Sequence, residues 1–369
     1  MKIIVIGTRG IPDIQGGIET HCEKLYPILV SLGYDVTVVR RPNYLEKEKR
    51  ISLFKGVKIK DIWAPRRKNI EAIIHTFFAV FYAKTQKPDI LHIHAIGPSI
   101  LAPLARLLGM KVIVTHHGPD YNRDKWGMFA KLMLRIGEKN AARYSNHIIA
   151  ISNVIKKDLT EKYKRTKNVS LIPNGVNIPD IAQSTDYIES LGVEKHKYIF
   201  ALGRFVKEKG FDNLVEAYAG IADKKGIKLV IAGDADHETE YSLSLKKYAK
   251  EQGVILTGFI KGEYLNELFS NAAFFVLPSF HEGLPISLLE AMSYNLDVVL
   301  SDILANRGIL NDDNLFFEPG NVEQLRSKIE QKLEQPIMRI TYDLSPYNWD
   351  HIAEQTRAVY DNFKKKDKI

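Results

Sequence analysis

Glu282 and Glu290, with seven residues between them, lie in the run Pro278-Ser279-Phe280-His281-Glu282-Gly283-Leu284-Pro285-Ile286-Ser287-Leu288-Leu289-Glu290-Ala291. The run follows an apolar stretch, Phe274 to Leu277, that reads as a strand, and its second half reads as a helix. A loop that leaves a strand and enters a helix offers unpaired backbone N–H groups and the positive end of a helix dipole. Such a place accommodates phosphate. Carboxylates do not ligate phosphate, so the two glutamates are expected to grip hydroxyls of whatever the phosphate carries. Two acids flanking a phosphate cradle suggest a nucleotide sugar.

Cations stand in another strand-end loop, Gly203-Arg204-Phe205-Val206-Lys207-Glu208-Lys209-Gly210, which precedes a helix expected over 211–222. An arginine holds phosphate through two parallel bonds and a lysine acts as a compact charge. Each such charge-assisted bond is worth roughly 1.5–3 kcal/mol. Arg204 and Lys209 together would neutralise a diphosphate without a metal; the plainer alternative is two solvated loop cations. The first strand likewise opens into a glycine-bearing loop, Gly7-Thr8-Arg9-Gly10-Ile11-Pro12-Asp13-Ile14-Gln15-Gly16-Gly17-Ile18-Glu19, before a helix expected over 20–32. Its spacing fits neither a dinucleotide fingerprint nor a Walker loop. Either the glycines let backbone approach a ligand or they only make a turn.

Histidines form a third group. His92 and His94 alternate on one strand and so share a face. His116 and His117 end another strand, before Gly118. Carboxylate or cysteine partners at metal-ligand spacing are not near, so hydrogen bonding to sugar hydroxyls or acid–base work is the expected use. His117, at the strand end, is the better placed, and His92 is expected to pack beneath the sheet. Asp234-Ala235-Asp236 mimics the acidic pair of metal-dependent sugar transferases, but aspartate is common in turns for local reasons. No metal is expected.

These residues need a scaffold. The chain has 369 residues, 45% hydrophobic and 26% charged, enough for two cores. Short β-branched runs alternate with helix-length amphipathic segments. Strands are expected at 2–6, 35–39, 57–62, 90–94, 111–115, 147–151 and 169–172, then at 198–202, 228–232, 254–256, 273–277, 297–300 and 314–317. Strands this apolar are buried on both faces, as in parallel sheets covered by helices. The pattern occurs twice, giving an α/β fold of two doubly wound, Rossmann-like domains. Their strand-end loops would face each other across a cleft. The boundary is placed after Pro173-Asn174-Gly175-Val176-Asn177, with a polar linker near 176–196.

One cysteine, Cys22, fits a reducing compartment. The start of the chain reads as a buried strand rather than a signal peptide. The net charge of +8 is spread along the chain, with Lys364-Lys365-Lys366 a solvated tail, and no nucleic-acid-binding motif is visible. Arg66-Arg67-Lys68 precedes an apolar, aromatic segment at 73–84 that is too short to span a bilayer. It is either a helix lying on an anionic membrane surface or a core-facing crossover helix after a basic turn.

Taken together, Glu282 with Glu290, Gly203-Arg204 with Lys209-Gly210, and Gly16-Gly17 with Glu19 resemble the retaining GT-B glycosyltransferases of family four. The resemblance covers the whole chain. Ile6-Gly7-Thr8-Arg9-Gly10-Ile11-Pro12 is similar to a bacterial subgroup labelled rhamnosyltransferases. It implies an N-terminal acceptor-side domain over 1–176, a nucleotide-sugar domain over 177–345, and a terminal helix over 346–369 crossing back onto the first domain. By position, Glu290 would hold the ribose, Glu282 a hydroxyl of the transferred sugar, and Arg204 and Lys209 the diphosphate. The backbone along Gly283, Leu284, Pro285, Ile286 and Ser287, and at Gly16 and Gly17, would add phosphate contacts. His117 would touch the transferred sugar. Ser301-Asp302-Ile303-Leu304-Ala305-Asn306-Arg307-Gly308 departs from the family pattern, with glycine in place of a common acid.

The implied activity is metal-independent transfer of a hexosyl or deoxyhexosyl group, with retention, from a nucleotide diphosphate sugar to a glycan or lipid-linked acceptor. Surface polysaccharide synthesis, in the cytoplasm or peripherally on the inner face of the plasma membrane, is the expected setting. The rival readings are a GT-B sugar-nucleotide epimerase and a non-catalytic nucleotide-sugar-binding scaffold. No further cofactor and no nucleic acid are expected.

Overall fold

Apolar strands without a polar face can be satisfied only inside a sheet covered on both sides. The computed structural model, which describes residues 1–65, 70–122, 127–235 and 238–364, shows two such sheets. They belong to two units, residues 1–175 with 346–369, and residues 176–345.

In the first unit the strands are β1 (Lys2–Ile6), β2 (Asp35–Arg40), β3 (Leu53–Phe54), β4 (Val57–Asp61), β5 (Ile90–His94), β6 (Val112–His116), β7 (His147–Ala150) and β8 (Val169–Leu171). Their order is β3-β4-β2-β1-β5-β6-β7-β8, parallel except for the β3–β4 hairpin. That edge hairpin was not expected from the sequence. Two residues carry no period, and the signal was its turn: Lys55 and Gly56 both take positive φ, at 44° and 82°.

The second unit holds β9 (Tyr198–Leu202), β10 (Lys228–Ala232), β11 (Ile255–Leu256), β12 (Phe274–Leu277), β13 (Val298–Ser301) and β14 (Phe316–Phe317), in the order β11-β10-β9-β12-β13-β14, all parallel. Both units are therefore Rossmann-like α/β domains. In each, strand order reverses beside the first strand: between β1 and β5, and between β9 and β12. Ligands of open α/β sheets sit outside the carboxyl ends of strands at such reversals.

Three expected elements shift. The first helix runs Gly17–Ser31, three residues earlier than expected, because glycine permits the helix to begin inside the loop. Helix Phe211–Ala219 stops short of 222, ahead of Gly220. The stretch drawn as a linker contains helix Asp186–Ser190, whose Ile188 is buried and donates its N–H to Glu267 at 2.9 Å. One apolar residue among polar neighbours gave no period to read.

Helix Trp349–Asp361 packs in the first unit. Asn348 caps it, accepting from the N–H groups of Asp350 and His351. Ile352, Ala353, Val359 and Tyr360 join Cys22, Leu25, Tyr26 and Leu29 in one core. Helix Glu71–Gln86 buries Ala79, Val80 and Ala83 against the sheet and leaves Phe77, Phe78 and Phe81 exposed. It is thus a core-facing crossover helix with an aromatic outer face; Arg66, Arg67 and Lys68 lie outside the described residues. Among the described residues no helix is long and apolar enough to cross a membrane.

Candidate functional site

Two loops flank the reversal in the second sheet. After β9 the chain makes a single 3-10 turn, Lys207–Lys209, and reaches Gly210. After β12 it runs through Pro278–Pro285 into helix Ile286–Ser293. Gly210 has φ +65°, and a Cβ there would stand 2.4 Å from the Pro278 carbonyl oxygen, so glycine permits the loops' close approach. Phe280 N–H donates to Glu208 O at 2.9 Å. Lys209 Nζ meets Glu282 Oε1 at 2.5 Å, and the Ser279 hydroxyl donates to the same oxygen at 2.8 Å. The paired side chains are 16% and 11% exposed, enough for a ligand to reach them.

Helix Ile286–Ser293 has no side-chain cap at its N-terminus, where Pro285 precedes it. Its first N–H groups, with Ser287 among them, are open to an acceptor from outside. Glu290 and Arg204 are both half-buried, and Leu284 and Pro285 are buried. The neighbouring strand end is braced by Ser301, whose hydroxyl donates to Ser279 O at 2.5 Å. Asp302 pairs with Arg307 within its own loop at 2.7 Å.

The loop after β1 is organised by Glu19. Its carboxylate accepts from the Thr8 hydroxyl at 3.1 Å and from Arg9 N–H at 2.9 Å. Gly16 has φ +150°, and a Cβ there would meet Glu19 Oε2 at 2.1 Å. Gly16 and Gly17 therefore form the uncapped start of helix Gly17–Ser31. Asp234, which would have been half of an acidic pair, bonds Lys246 at 2.7 Å; Asp236 lies outside the described residues.

At the end of β6 the two adjacent histidines part ways. His116 points to Glu138, 2.8 Å away, while His117 stacks on His94 with ring centroids 5.2 Å apart. His117 Nε2 lies 2.8 Å from His94 Nδ1. Burial, then the neighbouring imidazoles, depresses the basicity of His117 and of His94 well below that of ordinary histidine. Burial also lowers His92 to about 3 and His21 to about 4, although Asn174 hydrogen-bonds His21 and partly opposes the shift.

Residues 15–179 match the family described as Glycosyltransferase Family 4, and residues 183–343 match Glycosyl transferases group 1. The chain is a GT-B glycosyltransferase of family-four type. An uncharacterized glycosyltransferase of Methanocaldococcus jannaschii is 25% identical, over 98% of each chain. The UDP-Gal:alpha-D-GlcNAc-diphosphoundecaprenol alpha-1,3-galactosyltransferase of Escherichia coli is 28% identical, over 70% of this chain and 69% of its own. Sucrose-phosphate synthase from Thermosynechococcus elongatus shares the fold with a TM-score of 0.81 at 20% identity, over 98% of each chain.

In this glycosyltransferase the structure brings Lys209 and Glu282 into contact and places Gly283, Leu284, Pro285, Ile286, Ser287 and Glu290 along one strand-end loop and its helix. Arg204 lies in the adjacent loop. Gly16, Gly17 and His117 belong to the first unit. Sequence reasoning missed the partners of the histidines: His21, Tyr26, Asn174 and Tyr360. Tyr26 stands five residues beyond His21, off the i,i+3 and i,i+4 spacings that share a helix face, and gave no signal. Tyr360 lies far along the chain and gave none.

Proposed function

We propose that this enzyme moves a sugar, with retention and without a metal ion, from a nucleotide diphosphate sugar to a lipid-linked or glycan acceptor in cell-surface polysaccharide synthesis. The observation that carries this reading is the Lys209–Glu282 pair spanning the two loops at the reversal of the second sheet. A diphosphate arriving there would share Lys209 with Glu282, releasing the carboxylate to accept from a hydroxyl of the transferred sugar. Arg204 and the N–H groups at the start of helix Ile286–Ser293 would hold the remaining phosphate charge. Glu290, one turn further along, would take the ribose.

In the reaction, the acceptor hydroxyl oxygen forms a bond to the anomeric carbon as the bond from that carbon to the β-phosphate oxygen breaks. The departing phosphate takes the hydroxyl proton, so no protein base is required. Lys209, Arg204 and the helix N-terminus stabilise the charge that develops on the phosphate. Glu282 is held by Lys209 and Ser279, an arrangement that suits a hydroxyl acceptor more than a nucleophile. The E. coli relative supports the donor and acceptor classes through its name, which gives UDP-Gal as donor and a diphosphoundecaprenol acceptor.

The test is a thermal-shift series with UDP-, GDP- and dTDP-sugars, in EDTA and again with manganese. Stabilisation by one nucleotide sugar in EDTA is expected. Stabilisation only with manganese would overturn the metal-free reading, and none at all would sink the donor site. The peripheral membrane position we propose for this enzyme is supported by the exposed aromatic group of Trp63, Phe77, Phe78 and Phe81, in which the Trp63 and Phe78 ring centroids lie 6.3 Å apart. Flotation with anionic vesicles should carry the protein upward, and Phe77→Ser/Phe81→Ser should abolish this; a wild type that stays at the bottom refutes it.

A further inference from the structure

His117 is the outer end of a hydrogen-bonded chain that runs into the core of the first unit. From His117 Nε2 it passes to His94 Nδ1 at 2.8 Å, and from His94 Nε2 to the Tyr26 hydroxyl at 2.5 Å. The Tyr26 hydroxyl is also 3.1 Å from His92 Nδ1. His92 Nδ1 meets the Tyr360 hydroxyl at 2.5 Å, and His92 Nε2 meets Thr115 Oγ1 at 2.7 Å. The three imidazoles stack in sequence, with His92 and His94 centroids 4.5 Å apart. His21, bonded to Asn174 at 3.0 Å, closes the side of the stack, edge-on to both His117 and Trp349. No carboxylate, lysine or arginine bonds these rings among the described residues.

A neutral imidazole has one donor and one acceptor nitrogen, so the chain has a sense. A phenol is a better donor than acceptor, and a bare imidazole nitrogen is a good acceptor. Tyr360 therefore donates to His92 Nδ1, which leaves the His92 Nε2 proton to bond Thr115. The Tyr26 hydroxyl also interacts with Tyr360, but its short contact is His94 Nε2 at 2.5 Å; it donates there, so His94 carries its proton on Nδ1 and donates it to His117 Nε2. The His117 proton then belongs on Nδ1, the nitrogen with no hydrogen-bond partner among the described residues. We infer that Tyr26 and His94 are positioning residues that lock His117 as the neutral Nδ1–H tautomer, so that it presents a hydrogen-bond donor to an oxygen of the transferred sugar. This rests on the reading of His117 as a contact of that sugar. Burial of the stack keeps it uncharged at neutral pH, so the donor is a dipole rather than a cation.

The test is long-range 15N–1H correlation NMR on the full chain carrying 15N-histidine at pH 7.5, with His117 assigned by the loss of its signals in His117→Gln. The wild type should show a protonated Nδ1 and a bare Nε2 at His117. Tyr26→Phe should give a tautomer mixture and raise the donor KM about two- to ten-fold with kcat little changed, the size expected for one hydrogen bond. His94→Asn, which keeps an N–H at the place of Nδ1, should retain a lower KM than His94→Leu. A wild-type His117 protonated on Nε2 would overturn the lock, as would a Tyr26→Phe enzyme unchanged in both tautomer and KM. The NMR measurement needs no donor. If it shows the Nδ1–H form while no nucleotide sugar stabilises the chain, the lock stands and the donor-site reading fails.

Discussion

At the scale of single residues, the Lys209–Glu282 pair has a structural and a functional part that can be separated. Removing only the cation leaves a largely buried carboxylate without its partner, which is costly, whereas neutralising both is much less so. Lys209→Met should therefore lower stability by about 1–3 kcal/mol, and Lys209→Met/Glu282→Gln should recover most of that loss. Turnover should not recover: the cation acts on the leaving phosphate, and its loss should slow transfer by about 100-fold or more at saturating donor. Urea denaturation alongside steady-state rates measures both. Equal stability in the single and double variants would show the pair to be incidental.

At the scale of elements, the candidate site in the second unit depends on how closely the loops after β9 and β12 approach. Gly210 takes φ +65° with the Pro278 carbonyl beside it. In Gly210→Ala the left-handed backbone costs about 1–2 kcal/mol, and the 2.4 Å contact forces the loops apart as well. The expected result is a loss of about 2–4 kcal/mol together with weakened donor binding, read by thermal melts with and without nucleotide sugar. Gly226→Ala is a fitting control, since its φ is also positive, at 73°, but no atom lies within 4 Å of the added methyl. If the two variants lose donor affinity equally, loop contact is not what shapes the site.

At the scale of the whole molecule, acid sensitivity is distributed unevenly. The first unit holds His21, His75, His92, His94, His117 and His147, all with lowered pKa through burial, to about 3 for His75 and His92 and about 4 for His21 and His147. Among the described residues of the second unit only His196, which is half-buried, has its pKa lowered, mainly by burial. The unfolded chain binds protons near pH 6.5, while the folded groups stay neutral to lower pH, down to about 3 for His75 and His92 and about 4 for His21 and His147. Their contribution is therefore whole above pH 6.5 and is lost as pH falls through that window, at up to about 1.4 kcal/mol per pH unit for each histidine. All three tryptophans, Trp63, Trp126 and Trp349, fall in the first unit's segments, so their fluorescence reports on it alone. On acidification from pH 6.5 to 4 it should change before the far-ultraviolet circular dichroism is fully lost. Simultaneous loss of both signals would argue against this asymmetry.

The sequence by itself determined the two-sheet architecture, because a strand buried on both faces must be largely apolar, and residues 3–6, 199–202 and 229–232 carry that pattern without a break. It also determined the candidate donor loop, since the spacing of Glu282 and Glu290 follows from a loop running into a helix within one short segment. The edge strand Leu53–Phe54 and helix Asp186–Ser190 escaped because they are too short to repeat. Only the tertiary structure decided which groups meet. Lys209 and Glu282 are 73 residues apart and touch because strand order reverses between β9 and β12. His92 and Tyr360, 268 residues apart, bond because the terminal helix returns to the first unit. Local periodicity records which face of an element is buried; it holds no record of what that face is buried against.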